Sequence, residues 1–412
     1  MKIAIYTHYF TPEAGAPSMR LHDLGREWIR LGHEVQVITC FPNHPHGRLY
    51  PGYRGGLYGH EVLDGVDVHR HWTYITPNNG LFKRTLGHVS YLPGALLVSN
   101  RRIGRPDIVI GSSPTFPAAG AAAWTARSHR IPFVMEVRDL WPAVFTELGV
   151  TRNQTLVRWL ERIELNLYER ACRVVVVTES FRQNLLSRGV PPEKVFTSPN
   201  GADLDYWAPR EAPPELRRRL GLLDSFVVLY IGTHGISQAL ASVLDSAERL
   251  LDRKDIHFLF VGGGAEKANL INAANASRLT NVTFLDSVGK DEVRDYYALA
   301  DVCLLPLRGI PLFDAFIPSK MFEMMAMARP VIGAVRGEAA AILENSRSAV
   351  IVRPEDAAGI ADAVVDLYTH PKRRRAMGTA GRHFVAEHYG RDRLAAAYGR
   401  VLEEAIETGG RS

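Results

Sequence analysis

Residues 226–235 have the sequence FVVLYIGTHG, in which a run of six apolar residues leads directly into a loop bracketed by Gly232 and Gly235. An uninterrupted apolar run of this length is typical of a parallel strand that is buried on both faces. Glycines after such a strand allow the backbone to approach a ligand closely. The stretch therefore predicts an α/β unit with a binding loop at the carboxyl end of its first strand.

Similar apolar runs alternate with helical patterns throughout the chain, which predicts an α/β fold of two doubly wound parallel sheets with crossover helices. The first series of strands is expected at residues 2–9, 34–39, 66–72, 107–112, 133–138 and 173–178. The second is expected at residues 226–231, 256–261, 282–285, 302–307, 331–335 and 350–352.

A turn-rich segment at residues 198–203, followed by prolines at 209, 213 and 214, separates the two series. We expect an N-terminal domain at residues 1–205 and a second domain at 206–385. Residues 386–412 have a helical pattern, and we expect this helix to cross back and pack on the first domain. Ligands bind at the carboxyl ends of the strands in such sheets, so we expect the chemistry in a cleft between the two domains.

The composition, 46% hydrophobic and 23% charged, is that of an ordinary globular protein. The three cysteines lie in or beside apolar runs, and the N-terminus lacks the features of a signal peptide, so we expect a cytoplasmic protein with reduced thiols. No apolar run reaches the roughly 18 residues of a membrane-spanning helix.

The net charge of +5 lies entirely in the first 205 residues, which hold 23 Lys and Arg against 18 Asp and Glu. Five of these cations flank an apolar stretch: Lys83, Arg84, Arg101, Arg102 and Arg105. They would suit peripheral contact with an anionic membrane or an anionic acceptor, whereas the alternative is a core helix with solvated ends. We expect no nucleic-acid partner.

The segment from Ile317 through Pro318, Ser319 and Lys320 to Glu323 predicts a turn followed by a helix that proline opens. Free N–H groups, the helix dipole and the Lys320 ammonium together would suit a diphosphate. Glu323 lies one turn deeper on the same helical face, where its carboxylate could accept hydrogen bonds from ribose hydroxyls. The alternative is a capped surface helix with an incidental Lys–Glu pair.

Other loops after strands carry further candidates. His234 would contact a phosphate or a sugar hydroxyl unless its role is structural, and Gly262 and Gly263 occupy the matching position after the next strand. In the first domain, Gly15 and Ala16 follow the opening strand. Arg138 and Asp139 end a later strand, as acceptor-side and catalytic candidates or as a buried ion pair.

Asp203-Leu204-Asp205 looks like a metal-binding DxD signature, but turn chemistry after Pro199-Asn200-Gly201 explains these acids adequately. We expect no metal cofactor. The GxGxxG fingerprint of dinucleotide-binding dehydrogenases is absent after both first strands.

These motifs together resemble glycosyltransferase family four, retaining enzymes of the GT-B fold, over nearly the whole chain. The matching segments, in order, are Gly32-His33-Glu34-Val35, Arg138-Asp139-Leu140-Trp141-Pro142, Pro199-Asn200-Gly201-Ala202-Asp203, Gly232-Thr233-His234-Gly235, and Pro318-Ser319-Lys320 with Glu323. The details are most similar to the bacterial surface-polysaccharide branch that includes fucosamine-transferring enzymes.

The resemblance implies transfer of a sugar, often N-acetylated, from UDP to a lipid-linked or saccharide acceptor at the inner membrane face. In this family the leaving phosphate itself is proposed to deprotonate the incoming hydroxyl, so no metal is required. Arg138, Asp139 and Lys320 are then the catalytic candidates. The implied nucleotide-sugar contacts are Gly232, Thr233, His234, Gln238, Gly262, Gly263, Val288, Asp314, Ile317, Pro318, Ser319, Lys320 and Glu323.

Three positions depart from the family pattern. The Glu-x7-Glu pair would need Glu at the position of Ala315, so Asp314 is the candidate substitute. The cations that clamp the diphosphate align with Thr233 and Gln238, and a common His aligns with Arg138. Two alternatives therefore stay open: a UDP-sugar epimerase of the same fold and a non-catalytic partner subunit.

Overall fold

The computed structural model describes residues 1–13, 15–44, 47–76, 81–140 and 153–409. The chain forms two compact units, of which unit 1 comprises Met1–Pro199 with Arg391–Ser412 and unit 2 comprises Asn200–Gly390. The chain thus passes between the units at 199/200 and 390/391, close to the expected limits at 205 and 385. Within unit 2 these two crossings are joined, because the Ala202 N–H donates to the Tyr389 carbonyl at 3.0 Å.

Unit 1 contains an eight-stranded sheet in the order β3-β4-β2-β1-β5-β6-β7-β8. The strands are β1 (Lys2–Tyr6), β2 (Glu34–Cys40), β3 (Tyr58–Leu63), β4 (Val66–His71), β5 (Ile108–Ser112), β6 (Phe133–Val137), β7 (Arg173–Val176) and β8 (Val195–Thr197). All neighbours pair in parallel except β3, which is antiparallel to β4.

The sequence reasoning missed β3 and β8, the two edge strands. Strand β3 contains Gly59, His60 and Glu61 and has no buried residue, so it lacks the apolar run that marks the central strands. Strand β8 has only three residues. The antiparallel pairing of β3 corrects the expectation of a purely parallel sheet.

The helices before residue 200 are α1 (Ala16–Arg30), α2 (Leu81–Val89), α3 (Phe116–His129), α4 (Gln154–Arg170) and α5 (Glu179–Ser187). A short α-helical turn, Tyr91–Pro93, continues as a π-helix at Gly94–Ser99, and a 3₁₀ turn spans Pro192–Lys194.

Unit 2 contains a six-stranded parallel sheet in the order β11-β10-β9-β12-β13-β14. Its strands are β9 (Phe226–Ile231), β10 (Ile256–Val261), β11 (Val282–Leu285), β12 (Val302–Pro306), β13 (Val331–Ala334) and β14 (Ala349–Val352). Its helices are α6 (Pro214–Arg219), α7 (Leu240–Arg249), α8 (Lys267–Ala276), α9 (Lys290–Leu299), α10 (Lys320–Ala326), α11 (Gly337–Asn345), α12 (Ala357–Thr369) and α13 (Pro371–His388), with 3₁₀ turns at Ile236–Gln238 and Pro311–Ala315.

The strand order of unit 2 reverses between β9 and β12. The chain runs outward from β9 to β11 and then returns to place β12 on the other side of β9. Loops from opposite sides of the sheet diverge at such a switch point and leave a crevice where ligands bind. All six residues of β9 are buried, so the 226–235 stretch forms the centre of this unit.

The last helix, α14 (Arg391–Gly409), packs against α1 within unit 1. The Trp28 indole N–H donates to the Ala395 carbonyl at 2.9 Å, and the Trp28 ring meets Tyr398 edge-on at 5.3 Å. Arg391 forms an ion pair with the buried Asp23. No helix of the described residues has both the length and the apolarity that spanning a membrane requires.

Candidate functional site

Two glycine-containing loops interlock at the switch point of unit 2. The loop after β9 and the loop after β10 are joined by the Gly232 N–H to the Val261 carbonyl, at 2.9 Å, and by the His234 N–H to the Gly263 carbonyl, at 2.8 Å. The Glu266 N–H returns to the His234 carbonyl at 2.9 Å. Backbone hydrogen bonds therefore hold the two loops as one surface.

This contact requires glycine at two positions. A Cβ on Gly262 would lie 1.9 Å from the Gly232 carbonyl oxygen, and a Cβ on Gly264 would lie 2.3 Å from that of His234. Both glycines have φ values, +143° and +154°, that other residues rarely adopt. The glycines bring backbone against backbone, rather than only opening space for a ligand.

Lys267, at the start of α8, ties a third strand end to these loops. Its ammonium donates to the carbonyls of Gly262 and Leu285, at 2.8 and 2.7 Å, and to Asp286 Oδ1 at 2.7 Å. Sequence reasoning missed this residue, although a lysine opening the helix after a glycine loop was a usable signal.

Lys320 lies at the crevice, and its position comes from α10. Its ammonium is 3.4 Å from the Ile231 carbonyl oxygen and 4.0 Å from the centre of the Tyr230 ring. A Cβ on Gly232 would lie 3.3 Å from it. Burial lowers the pKa of Lys320 to about 7, against the opposing effect of Glu323, so the free site holds this cation at a cost.

Helix α10 begins at Lys320 with Ser319 as its N-cap, which corrects the expectation that Pro318 is the first helical residue. The Met321 N–H donates to the Pro318 carbonyl at 3.1 Å, so Pro318 and Ser319 form a tight turn that leads into the helix. Ile317 precedes this turn and is half-buried.

Glu323 and Tyr297 form a buried pair one turn below Lys320. The Tyr297 hydroxyl, from α9, donates to Glu323 Oε2 at 3.1 Å. Burial raises the pKa of Glu323, and the Tyr297 hydrogen bond opposes that effect. Tyr297 was not a sequence candidate, because it lies 26 positions from its partner on another helix.

The His234 side chain is completely buried, which corrects its expected contact with a phosphate or sugar. Its ring packs against Tyr230, Phe260 and Phe284. Burial, with Lys267 and Lys320 adding to it, lowers the pKa of His234 to about 4, while the Val261 backbone opposes the change. The neutral ring therefore supports the loop from below, and only the backbone of residue 234 reaches the loop contact.

The remaining candidates of unit 2 lie in nearby loops. Gln238 Oε1 accepts from the Gly235 N–H at 3.2 Å, and the Thr233 carbonyl accepts from the Tyr230 hydroxyl at 2.6 Å. Asp314 Oδ1 accepts from Arg336 Nε at 3.2 Å, which adds a cation that sequence reasoning missed. Val288 is half-buried in the loop after β11.

In unit 1, Arg138 follows β6 as a buried cation. Its guanidinium Nε and Nη1 make no hydrogen bond within the described residues, and burial lowers its pKa to about 10. The nearby Glu136 is already engaged by Arg20 Nε at 3.0 Å and by the Ser112 hydroxyl at 2.8 Å. Burial also raises the pKa of Asp139, and Arg138 opposes that effect. Positions 141 and 142 of the RDLWP motif lie outside the described residues.

The loop after β1 ends at Gly15, whose φ of +145° precedes α1, and Ala16 is the first residue of that helix. Glu13, which sequence reasoning missed, anchors this loop by accepting the Asn43 and Phe10 N–H groups at 2.7 and 3.3 Å. Burial raises the pKa of Glu13 to about 7.

Asp203 makes the expected turn. Its Oδ1 accepts from the N–H groups of Asp205 and Tyr206 at 3.1 and 3.0 Å, which confirms the interpretation of this acid as turn chemistry. No group of three or more His, Cys, Asp or Glu side chains suited to a metal occurs in the part of the chain that the structure describes.

Two family models match the chain: the glycosyl transferase 4-like domain at residues 15–201 and the glycosyl transferases group 1 at 225–370. A putative colanic acid biosynthesis glycosyl transferase, WcaI, from Escherichia coli K12 is 27% identical over 79% of this chain and 81% of its own. The alpha-D-kanosaminyltransferase of Streptomyces kanamyceticus is 25% identical over 76% and 83%.

Solved structures show the same fold at low identity. Sucrose-phosphate synthase from Thermosynechococcus elongatus superposes with a TM-score of 0.77 at 19% identity, covering 99% of both chains. Anabaena HepE in complex with UDP superposes with a TM-score of 0.67 at 16% identity, covering 98% of this chain and 100% of that one.

The loop interlock predicts different outcomes for two adjacent glycines. Gly262→Ala is expected to destabilise unit 2 by about 1–3 kcal/mol or more, because its Cβ meets backbone and its φ is strained. Gly263→Ala is the control, since its Cβ would meet only the Ser287 hydroxyl at 3.2 Å, on an exposed residue that can shift. Thermal unfolding measures both; equal Tm values would contradict the interlock.

Proposed function

The chain belongs to glycosyltransferase family four and has the GT-B fold, and from that premise we propose that it transfers an N-acetylated amino sugar from UDP. The proposed acceptor is lipid-linked or saccharide, the proposed stereochemistry is retention, and the proposed setting is bacterial surface-polysaccharide biosynthesis. The names of WcaI and the kanosaminyltransferase support the polysaccharide setting and the amino sugar. HepE, solved with UDP, supports the base.

The observation that carries this proposal is the position of the Lys320 ammonium between the Tyr230 ring and Gly232 at the switch point. A diphosphate placed there would meet a cation and the backbone of the Gly232 loop. Negative charge on the leaving diphosphate grows as the bond to the sugar breaks, so a fixed cation stabilises the transition state more than the ground state. We propose that Lys320 and backbone N–H groups supply this charge without a metal.

The ribose would lie one turn deeper. Tyr297 occupies Glu323 Oε2, and we propose that Oε1 accepts a hydrogen bond from a ribose hydroxyl. A carboxylate that accepts several hydrogen bonds is stabilised in its charged form, so the bound ribose would compensate the burial of Glu323.

The sugar end of the site departs from the family pattern. Asp314 carries the only carboxylate beside Ala315 in the 3₁₀ turn Pro311–Ala315, and Arg336 holds it. We propose that Asp314 contacts the sugar in place of the missing glutamate. The leaving phosphate would then take the proton of the incoming hydroxyl, while Arg138 and Asp139 orient the acceptor.

The proposed location is the cytoplasm, with the enzyme peripheral to the inner face of the cell membrane, where a lipid-linked acceptor is within reach. The donor base needs a direct test. A GDP-mannose-dependent mannosyltransferase of Mycobacterium tuberculosis is 29% identical over 54% of this chain and 59% of its own, so the relatives include both bases.

A thermal-shift panel of UDP, GDP and ADP with their sugars tests the donor. UDP ligands are expected to raise the Tm, since a ligand at 100 times its Kd stabilises the folded state by about 2.7 kcal/mol. A shift with GDP ligands alone would overturn the UDP proposal. Incubation with UDP-N-acetylglucosamine and no acceptor tests the epimerase alternative, because the appearance of an epimer would contradict a transferase.

The pKa of Lys320 predicts that UDP binding takes up a proton. Lys320 is charged below about pH 7 in the free site and loses its charge as the pH rises, whereas the diphosphate holds it protonated. Calorimetry at pH 8–9 in buffers of different ionisation enthalpy should show uptake approaching one proton per UDP. The affinity should fall about tenfold per pH unit above 7.

Two variants control this measurement. Lys320→Met should bind UDP weakly with no uptake from this position, and Lys320→Arg should bind without uptake at any of these pH values, because arginine stays charged. The same proton count in wild type and Lys320→Met would rule out the assigned role.

The ribose assignment predicts a selective loss. Glu323→Gln should weaken UDP binding about 10- to 100-fold, the range for hydrogen bonds to a charged group, and should leave the binding of 2′,3′-dideoxy-UDP nearly unchanged. Tyr297→Phe, which removes only the donor to Oε2, serves as the matched control and should cost less. Equal losses with both nucleotides would show that Glu323 does not contact the ribose.

A further inference from the structure

A stripe of apolar side chains faces outward along the helical segment at residues 83–101 of unit 1. Leu86, Val89, Pro93 and Leu97 follow one another at spacings of three and four and are all exposed. Leu97 is 60% exposed and Val89 48%. The opposite side of the segment is buried, with Tyr91, Ala95 and Ser99 facing the unit. The segment is therefore amphipathic, with its second apolar face uncovered by the described residues.

The stripe continues onto the neighbouring chain. The Tyr74 N–H donates to the Ser90 hydroxyl at 2.8 Å, and the Trp72 N–H donates to the Leu57 carbonyl at 3.3 Å. Tyr74 is 38%, Trp72 50% and Leu57 76% exposed. We define the apolar face as Leu57, Trp72, Tyr74, Leu86, Val89, Pro93 and Leu97.

Exposed apolar side chains are concentrated in unit 1. Of the thirteen large hydrophobic side chains that are exposed among the described residues, eleven belong to unit 1 and two, Leu223 and Ile236, to unit 2. Single exposed apolar residues are normal, but a contiguous group marks an interaction surface. The difference between two units of similar size makes a general surface property an insufficient explanation.

The charge around the apolar face has one sign. No Asp or Glu occurs between Asp67 and Asp107, a stretch that contains Arg70, Lys83, Arg84, Arg101, Arg102 and Arg105. Lys83 and Arg101 are exposed at the two ends of the stripe. The Arg102 guanidinium lies 4.3 Å from the centre of the Tyr58 ring, on the strand that follows Leu57. Cations thus border an apolar and aromatic centre.

We propose that the apolar face docks on an anionic lipid surface, with its leucines among the acyl chains and its cations at the headgroups. Tryptophan and tyrosine favour this interface, and anionic headgroups attract bordering Lys and Arg. A second copy of the chain is a poorer occupant, because its own basic border would oppose this one.

This inference deepens the proposed function, since it rests on an acceptor that is lipid-linked and names the surface that brings unit 1 to it. Arg138 and Gly15, the acceptor-side candidates, belong to the same unit as the apolar face. Lys320 and Glu323 belong to unit 2. Nucleotide binding and lipid binding can therefore be measured, and can fail, separately.

Co-sedimentation of the full chain with vesicles tests the docking. The protein is expected to bind vesicles of phosphatidylcholine with about 30% phosphatidylglycerol at 0.1 M salt, and much less to pure phosphatidylcholine. Raising the salt to 0.5 M should weaken binding, because exposed charges are screened more strongly.

Two pairs of variants separate the apolar and the charged contributions. Leu86→Ser with Leu97→Ser should weaken binding about tenfold or more, whereas Leu223→Ser, at a 59% exposed leucine of unit 2, should not change it. Lys83→Gln with Arg101→Gln should also lose about tenfold or more, and Lys254→Gln with Lys372→Gln, two exposed lysines of unit 2, should bind like the wild type.

Three results would overturn the proposal: no vesicle binding by the wild type, equal binding to neutral and anionic vesicles, or equal losses in the unit 2 controls. Self-association that the leucine variant abolishes, without vesicle binding, would assign the face to a second copy instead. Calorimetry with UDP on every variant shows whether it is folded. Retained UDP binding with lost vesicle binding places a failure in the docking variant rather than in the donor site.

Discussion

The candidate site depends on the backbone contact between the loops after β9 and β10. Gly262 and Gly264 allow carbonyl groups of the first loop to approach positions that any side chain would fill. The buried His234 ring supports this contact from below, and Lys267 ties it to the end of β11. Because Gly232 belongs to the same contact, the position of the Lys320 ammonium relative to the backbone is set as well.

Buried charges are the second constraint, and they explain why the site suits an anion. Lys320 and Glu323 both have pKa values shifted toward their neutral forms, with burial as the largest cause. A group in this condition is costly in the free protein and gains most from a ligand that restores its charge. Arg138, in unit 1, is buried in the same way. The stability lost at these positions becomes available as binding energy.

Unit 1 differs from unit 2 in what its surface offers. Unit 2 places its unusual groups inside, around the ends of β9 and β10, while unit 1 has an exposed apolar face with a basic border. A transferase that acts on a lipid-linked acceptor needs both kinds of surface. The division of these two properties between the units follows the division of labour that the proposed reaction requires.

The fold class and much of unit 2 could be predicted from the sequence. The bounds of β9, β10 and β11 agree with the apolar runs, since strands buried on both faces have little choice of residue type. Edge strands β3 and β8 could not, because solvent on one side removes that constraint. Family membership was also predictable, and the two family models confirm it.

Within the site, the sequence by itself determined the Lys320 and Glu323 pair, because both lie on one short helix whose geometry depends only on spacing. Tyr230, Tyr297, Lys267 and Arg336 became part of the site only through the tertiary structure, since each comes from a different element. The burial of His234 was decided in the same way. Contacts between elements depend on how sheets and helices pack, and no local spacing encodes that distance.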